Sequence, residues 1–261
     1  MKKKYIFLGL LLIAFALTGC NNNKEQSQSE VETVKLTISA AASIQDAATE
    51  LKDIYQKQHS EVEITYTFAA SGPLQRQIEE GAPVDLFISA GKKQMDALED
   101  KGLIIDSSRV NLLSNELVLI AGQDSKLTGF DGLTDAAVKQ ISIGTPETVP
   151  AGSYAEEALT SLGLWEQIQS KLVPAQNVRQ VLQYVETGNV DAGLVYRSDT
   201  ITGKNIKVVA AAPADSHKPI EYPMAVVKST KHQKETEEFA AFLQSAAAKD
   251  VFQKYGFITS K

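Results

Sequence analysis

The chain has 261 residues, one cysteine, and 26 Lys and Arg against 32 Asp and Glu, for a formal net charge of −6. That length suits one large domain or two ordinary lobes. The acidic balance argues against nucleic acid as a partner, and a lone cysteine excludes a disulfide within the chain.

The first residues read as a leader. Lys2, Lys3 and Lys4 precede an apolar run from Tyr5 to Leu17, which is too short to span a membrane comfortably. It ends in Leu17-Thr18-Gly19-Cys20, which resembles the bacterial lipoprotein signal, cut before a cysteine whose thiol carries lipid. Residues 1–19 are therefore expected to leave, with Cys20 as the lipid anchor. Losing the three lysines takes the formal charge from −6 to −9. Residues 20–33, polar and nearly free of large apolar groups, read as a flexible tether.

The folded part begins at Val34. Val34 to Ile38 alternate as a strand, and a run of small residues leads to Ser43 and Asp46, which have the spacing of a capping box. Ala47, Ala48, Leu51, Ile54 and Tyr55 continue at helical spacing. The arrangement repeats. Val62 to Phe68 alternate as a strand that ends in Ala69-Ala70-Ser71-Gly72-Pro73, with Ser71 as the expected cap of a helix over 74–80. Val84 to Ser89 suit a buried strand, and a helix follows over 92–100.

The second half has the same plan. Strands are expected at 117–121, 141–144, 190–196, 206–210 and 223–227. Helices are expected at 153–162, with Ser153 and Glu156 as a capping box, and at 164–171. A further helix is capped by Asn177 and runs from Val178 to Glu186, and two more cover 235–244 and 247–255. Alternating strands and helices imply an α/β fold of mostly parallel sheets in two lobes, with ligands at the carboxyl ends of strands.

Enzyme chemistry finds little footing. His59, His217 and His232 are scattered, without metal-ligand spacing. No nucleophile elbow or phosphate-binding P-loop occurs. What remains is a set of helix starts: Ser43, Ser71, Ala151 and Val178, with Tyr196 at a strand end. Such groups offer hydroxyl and amide donors to an anion without a cationic side chain. A site with donors and no carboxylate acceptor favours oxyanions that are fully ionised at neutral pH, such as sulfate, molybdate or tungstate. Arg179, beside Val178, is read as an ion-pair residue rather than a ligand.

These stretches resemble the molybdate-binding proteins of bacterial ABC transporters. The motifs are AAAS at 40–43, FAAS at 68–71, RQIEEGAPVDLFISA at 76–90, VPAGSYAEEAL at 149–159, NVRQVLQYVE at 177–186, LVYRSD at 194–199, EYPMAVV at 221–227 and KYGF at 254–257. The resemblance implies a two-lobed periplasmic binding protein of type II, with lobe 1 formed by 34–115 plus 223–261 and lobe 2 by 116–222. Strands crossing near 114–121 and 222–227 would join the lobes. It also implies an oxyanion held by the hydroxyl and amide of Ser43, by Ser71, by the amides of Ala151 and Val178, and by the Tyr196 phenol. Where many members have further hydroxyls after the FAAS serine, this chain has Gly72 and Pro73.

The expectation is thus a monomeric, lipid-anchored receptor on the outer face of the cell membrane. It would need no cofactor, take molybdate or tungstate as ligand, and deliver it to an ABC permease. The alternative is a receptor for sulfate or another tetrahedral oxyanion. An esterase of phosphate or sulfate, or a purely structural surface lipoprotein, explains the helix starts less well.

Overall fold

The computed structural model describes residues 33–259. The leader, Cys20 and all but the last residue of the expected tether lie outside the described residues. The first strand, β1 (Val34–Ala41), runs three residues beyond its alternating part, because Ser39, Ala40 and Ala41 are buried and small enough to be covered on both faces. A 3₁₀ turn over Ala42–Ile44 leads into α1 (Gln45–Gln58), which buries Ala47, Ala48, Leu51 and Tyr55 as one stripe. Then come β2 (Val62–Ala69), α2 (Ser71–Glu79), β3 (Leu86–Ile88) and α3 (Lys92–Asp100). The next strand, β4 (Val110–Ser114), has no alternation in its sequence and owes its extended form to its neighbour in the sheet.

The chain continues through β5 (Leu117–Gly122), β6 (Ile141–Gly144), α4 (Pro150–Ser161) and α5 (Trp165–Ile168). After these come β7 (Leu172–Ala175), α6 (Val178–Glu186), β8 (Ala192–Tyr196), β9 (Ile206–Ala211), β10 (Glu221–Val226), α7 (Gln233–Leu243) and α8 (Ala246–Lys254). Val178, Val181, Leu182 and Val185 of α6 recur at helical spacing and are all buried. Gly193 lets that face close on β8, since a Cβ there would lie 2.8 Å from the Val181 side chain.

The strands form two five-stranded sheets, in the orders β2-β1-β3-β10-β4 and β7-β6-β8-β5-β9. In the first, β1 pairs in parallel with β2 and β3, while β10 runs antiparallel to β3 and β4. In the second, β6 pairs in parallel with β7 and β8, while β5 runs antiparallel to β8 and β9. Both sheets are therefore mixed where mostly parallel ones were expected. The cause is the crossing: β5 and β10 each follow a strand of the opposite sheet, enter fourth in order, and run against the β/α strands.

After β10 the chain stays with the first sheet. The Tyr55 ring of α1 meets Phe239 and Phe242 of α7 at centroid distances of 4.9 and 5.1 Å. Lys254 and Tyr255 both reach Glu50 of α1, at 2.6 and 2.8 Å. One buried cluster spans both sheets, and the candidate residues lie at or beyond the carboxyl ends of their parallel strands.

Candidate functional site

Ser43, Ser71, Ala151, Val178 and Tyr196 all line one small pocket between the sheets. They come from five separate stretches: the turns after β1 and β2, the starts of α4 and α6, and the end of β8. Ala90, just after β3, completes the lining from the first lobe. All five candidates are at most 4% exposed. The pocket is narrow and enclosed by small side chains of both lobes. Among the described residues, no Lys, Arg, Asp or Glu lines it.

Each corner has its own local cause, and three of the four differ from the capping expected. Ser43 sits inside the 3₁₀ turn rather than capping α1, and its hydroxyl lies 2.8 Å from the Tyr222 hydroxyl. Asp46 makes no capping box because its carboxylate reaches across to Arg179. Ala70 holds the cap position of α2, which makes Ser71 the first helical residue; its oxygen accepts the Ala90 N–H at 2.9 Å. In the second lobe, α4 starts at Pro150, whose fixed φ and missing N–H suit a first position, so Ser153 and Glu156 fall inside the helix. Only Asn177 caps as expected, accepting the Gln180 N–H at 3.0 Å.

The first amides of these helices have no acceptor within their own helix, and residues that carry them line the pocket. The positive ends of α2, α4 and α6 converge there, which favours a negative guest. Tyr196 supplies a phenol. Burial first, then the neighbouring Tyr222, Tyr154 and Asp199, holds its pKa well above the usual tyrosine value, so it keeps its proton. The site can therefore donate many hydrogen bonds without carrying a charge of its own.

The lobes touch around this pocket. The Gly72 N–H donates to the Thr148 carbonyl at 3.1 Å, and the Tyr196 hydroxyl to the Ala90 carbonyl at 3.3 Å. Gly72 must be glycine here, since a Cβ would come within 2.4 Å of the Thr148 oxygen. Arg179 stands just outside. It pairs with Asp46 across the lobes, donates to Thr202 at 3.0 Å, and lies 3.3 Å from the fully buried Asp199. Thr202 in turn donates to Asp46 at 3.0 Å. Burial lifts the Asp199 pKa to about 7 even though the Arg179 guanidinium and the Tyr196 N–H oppose it.

Three residues around the site escaped the sequence reading. Ala90 faces the pocket only because β3 lies beside β1. Tyr222 reaches Ser43 from one crossing segment, and Asn115 reaches Tyr222 from the other; Asn115 carried no periodic signal, and Tyr222 stood unremarked inside the EYPMAVV motif.

Comparison with known proteins agrees with this architecture. The model of the family described as bacterial extracellular solute-binding protein matches residues 36–258. YvgL of Bacillus subtilis, named as a candidate ABC transporter substrate-binding lipoprotein, is 46% identical over 260 residues, covering 98% of this chain and 99% of its own. The molybdate-binding protein ModA of Escherichia coli is 42% identical over 233 residues, with 85% and 88% covered. A solved substrate-binding domain from Clostridium difficile, described as belonging to a candidate molybdenum ABC transporter, superposes with a TM-score of 0.70 at 43% identity. That match covers 88% of this chain and all of the other. Its relatives are substrate-binding components of transporters rather than enzymes. Two mixed sheets, a buried pocket between them and a match along nearly the whole described chain lead to one conclusion: the protein belongs to the bacterial extracellular solute-binding proteins.

Proposed function

We propose that the protein captures molybdate, and tungstate as its close analogue, between its lobes and passes the ion to an ABC importer. The observation that carries this reading is the pocket itself. Five residues that can offer N–H or O–H donors, from five distant stretches, line one pocket, and among the described residues no charged side chain joins them. Charge-assisted hydrogen bonds from fixed N–H and O–H groups can balance a dianion in such a buried site. An oxyanion that carries a proton would need an acceptor in return, and the lining is dominated by donors. The names of the relatives support molybdate among the fully ionised candidates.

In this reading Ser43, Ser71, Ala151, Val178 and Tyr196 are the ligands, and the guest ties the lobes together by touching both. Cys20 holds the chain to the outer face of the membrane, which keeps the receptor beside its permease. Isothermal titration of the purified chain with molybdate is the test. Tight binding that a hundredfold excess of sulfate or phosphate leaves in place is the expected result. No binding, or equal competition by sulfate, would overturn the assignment. For the anchor, Cys20→Ser should release the protein from the cell surface into the medium.

A further inference from the structure

The buried link behind Ser43 decides which way its proton points. Asn115 is 7% exposed, and its side-chain oxygen accepts the Glu116 backbone N–H at 2.9 Å. A backbone N–H can only donate, so that contact fixes the amide's orientation and turns Nδ2 the other way. Nδ2 donates to the Ser198 hydroxyl at 2.8 Å and to the Tyr222 hydroxyl at 3.3 Å. Tyr222 is fully buried, and among the described residues its hydroxyl has two partners, Asn115 and Ser43.

Since an amide nitrogen never accepts, the Tyr222 proton has one place to go, the Ser43 oxygen 2.8 Å away. Pointing it anywhere else would leave a buried donor unpaired. Burial, the largest influence on the Tyr222 pKa, holds it well above the usual value, so this proton is present at any physiological pH. Ser43 therefore accepts from behind, and its own O–H turns toward the pocket. Ser71 is held the same way by simpler means, because its oxygen accepts the Ala90 N–H.

We propose that Tyr222 and Asn115 are specificity-determining positioning residues: the chain Asn115 Nδ2 to Tyr222 Oη to Ser43 Oγ makes Ser43 an obligatory donor and so shuts out oxyanions that carry a proton. The proposal rests on the oxyanion reading of the pocket. It adds that selectivity is imposed from the crossing segments, by residues that never touch the guest.

The test compares inorganic sulfate with hydrogen phosphate at pH 8, two dianions of similar size that differ by one proton. Each is titrated against the ligand-free full chain, and the readout is the ratio of their Kd values. In Tyr222→Phe the Ser43 hydroxyl is free to turn and accept. The preference for sulfate should then fall by about tenfold, the scale of one mismatched hydrogen bond. Asn115→Asp replaces the donor with an acceptor of the same shape, which draws the Tyr222 proton away from Ser43 and should lower the ratio as far or further. The added charge weakens both dianions alike and leaves the ratio to report the proton. Should Tyr222→Phe fail to fold, Asn115→Asp carries the test. A chain in which both anions weaken together, with the ratio unchanged in the folded variants, would overturn the relay while molybdate binding by the unaltered chain still stood. No oxyanion binding by the unaltered chain would instead remove the reading beneath it.

Discussion

The two lobes face the same pocket with different chemistry. The first offers side-chain hydroxyls, Ser43 and Ser71, each hydrogen-bonded from behind, to the Tyr222 hydroxyl and the Ala90 N–H. The second offers the start of α4 and the start of α6, where Ala151 and Val178 contribute only backbone N–H groups, plus the Tyr196 phenol. Substitution reaches the two sets of donors unequally. A hydroxyl is deleted by one substitution to alanine, whereas a backbone donor survives any change of side chain that leaves the helix in place. A mutational scan should therefore find the first lobe critical at Ser43 and Ser71, and the second critical at Tyr196 but almost silent at Ala151 and Val178.

The largest effect should come from neither set of donors but from the contact that brings them together. In Gly72→Ala, the new Cβ meets the Thr148 carbonyl of the other lobe at 2.4 Å, and backbone cannot swing aside. Closure should cost about 3 kcal/mol more, or about a hundredfold in oxyanion affinity. Thermal unfolding without ligand should show little loss, because alanine is the better helix former. An unchanged affinity would mean that the lobes bind without this close approach.

Next comes Ser71→Ala, which removes a donor and orphans the Ala90 N–H. A loss of about 2 kcal/mol, near thirtyfold, is expected by titration, and Ser43→Ala and Tyr196→Phe should be similar. Arg179→Ala should cost less, about 1 kcal/mol, because its bridge to Asp46 is partly solvent-exposed and outside the lining. A loss greater than that of Ser43→Ala would place the guanidinium among the ligands. The smallest binding effect belongs to Val178→Ala, which keeps its amide: affinity within about threefold, with about 1 kcal/mol of stability lost from buried methyl groups. A large binding loss there would break the division between the lobes.

Asp199 provides a test by pH. Its carboxyl keeps a proton up to about pH 7 in the folded chain, whereas an unfolded aspartate loses it near pH 4. Between those values the native state binds more protons than the unfolded one, so this group lowers stability as pH rises, and the loss levels off above pH 7. Asp199→Asn should flatten that part of the melting-temperature profile. An unaltered slope between pH 4 and 7 would show that Asp199 is already ionised beside Arg179.

Most of the elements were legible because their causes are local. The helix from Val178 to Glu186 follows from its Asn177 cap and apolar stripe, and the strand at Ile141 to Gly144 from its buried run between turn residues. Where local cues competed with tertiary partners, the partners won. Ser43 and Ser153 have the spacing of capping residues, yet one hydroxyl is taken by Tyr222 and the other lies within a helix that Pro150 had already begun. β4 and β7 have no pattern of their own and exist as strands because β10 and β6 lie beside them.

The amino-acid order alone determined most strands and helices to within a few residues, and hence which stretches bring helix starts and their open donors, since those are properties of neighbours within a few positions. Whether the donors share a pocket depended on the crossings at Asn115 and Tyr222, which lie 107 residues apart and meet only in the folded chain. The direction of the Ser43 proton was settled there too. A hydroxyl can either donate or accept, and only its surroundings in three dimensions remove that choice.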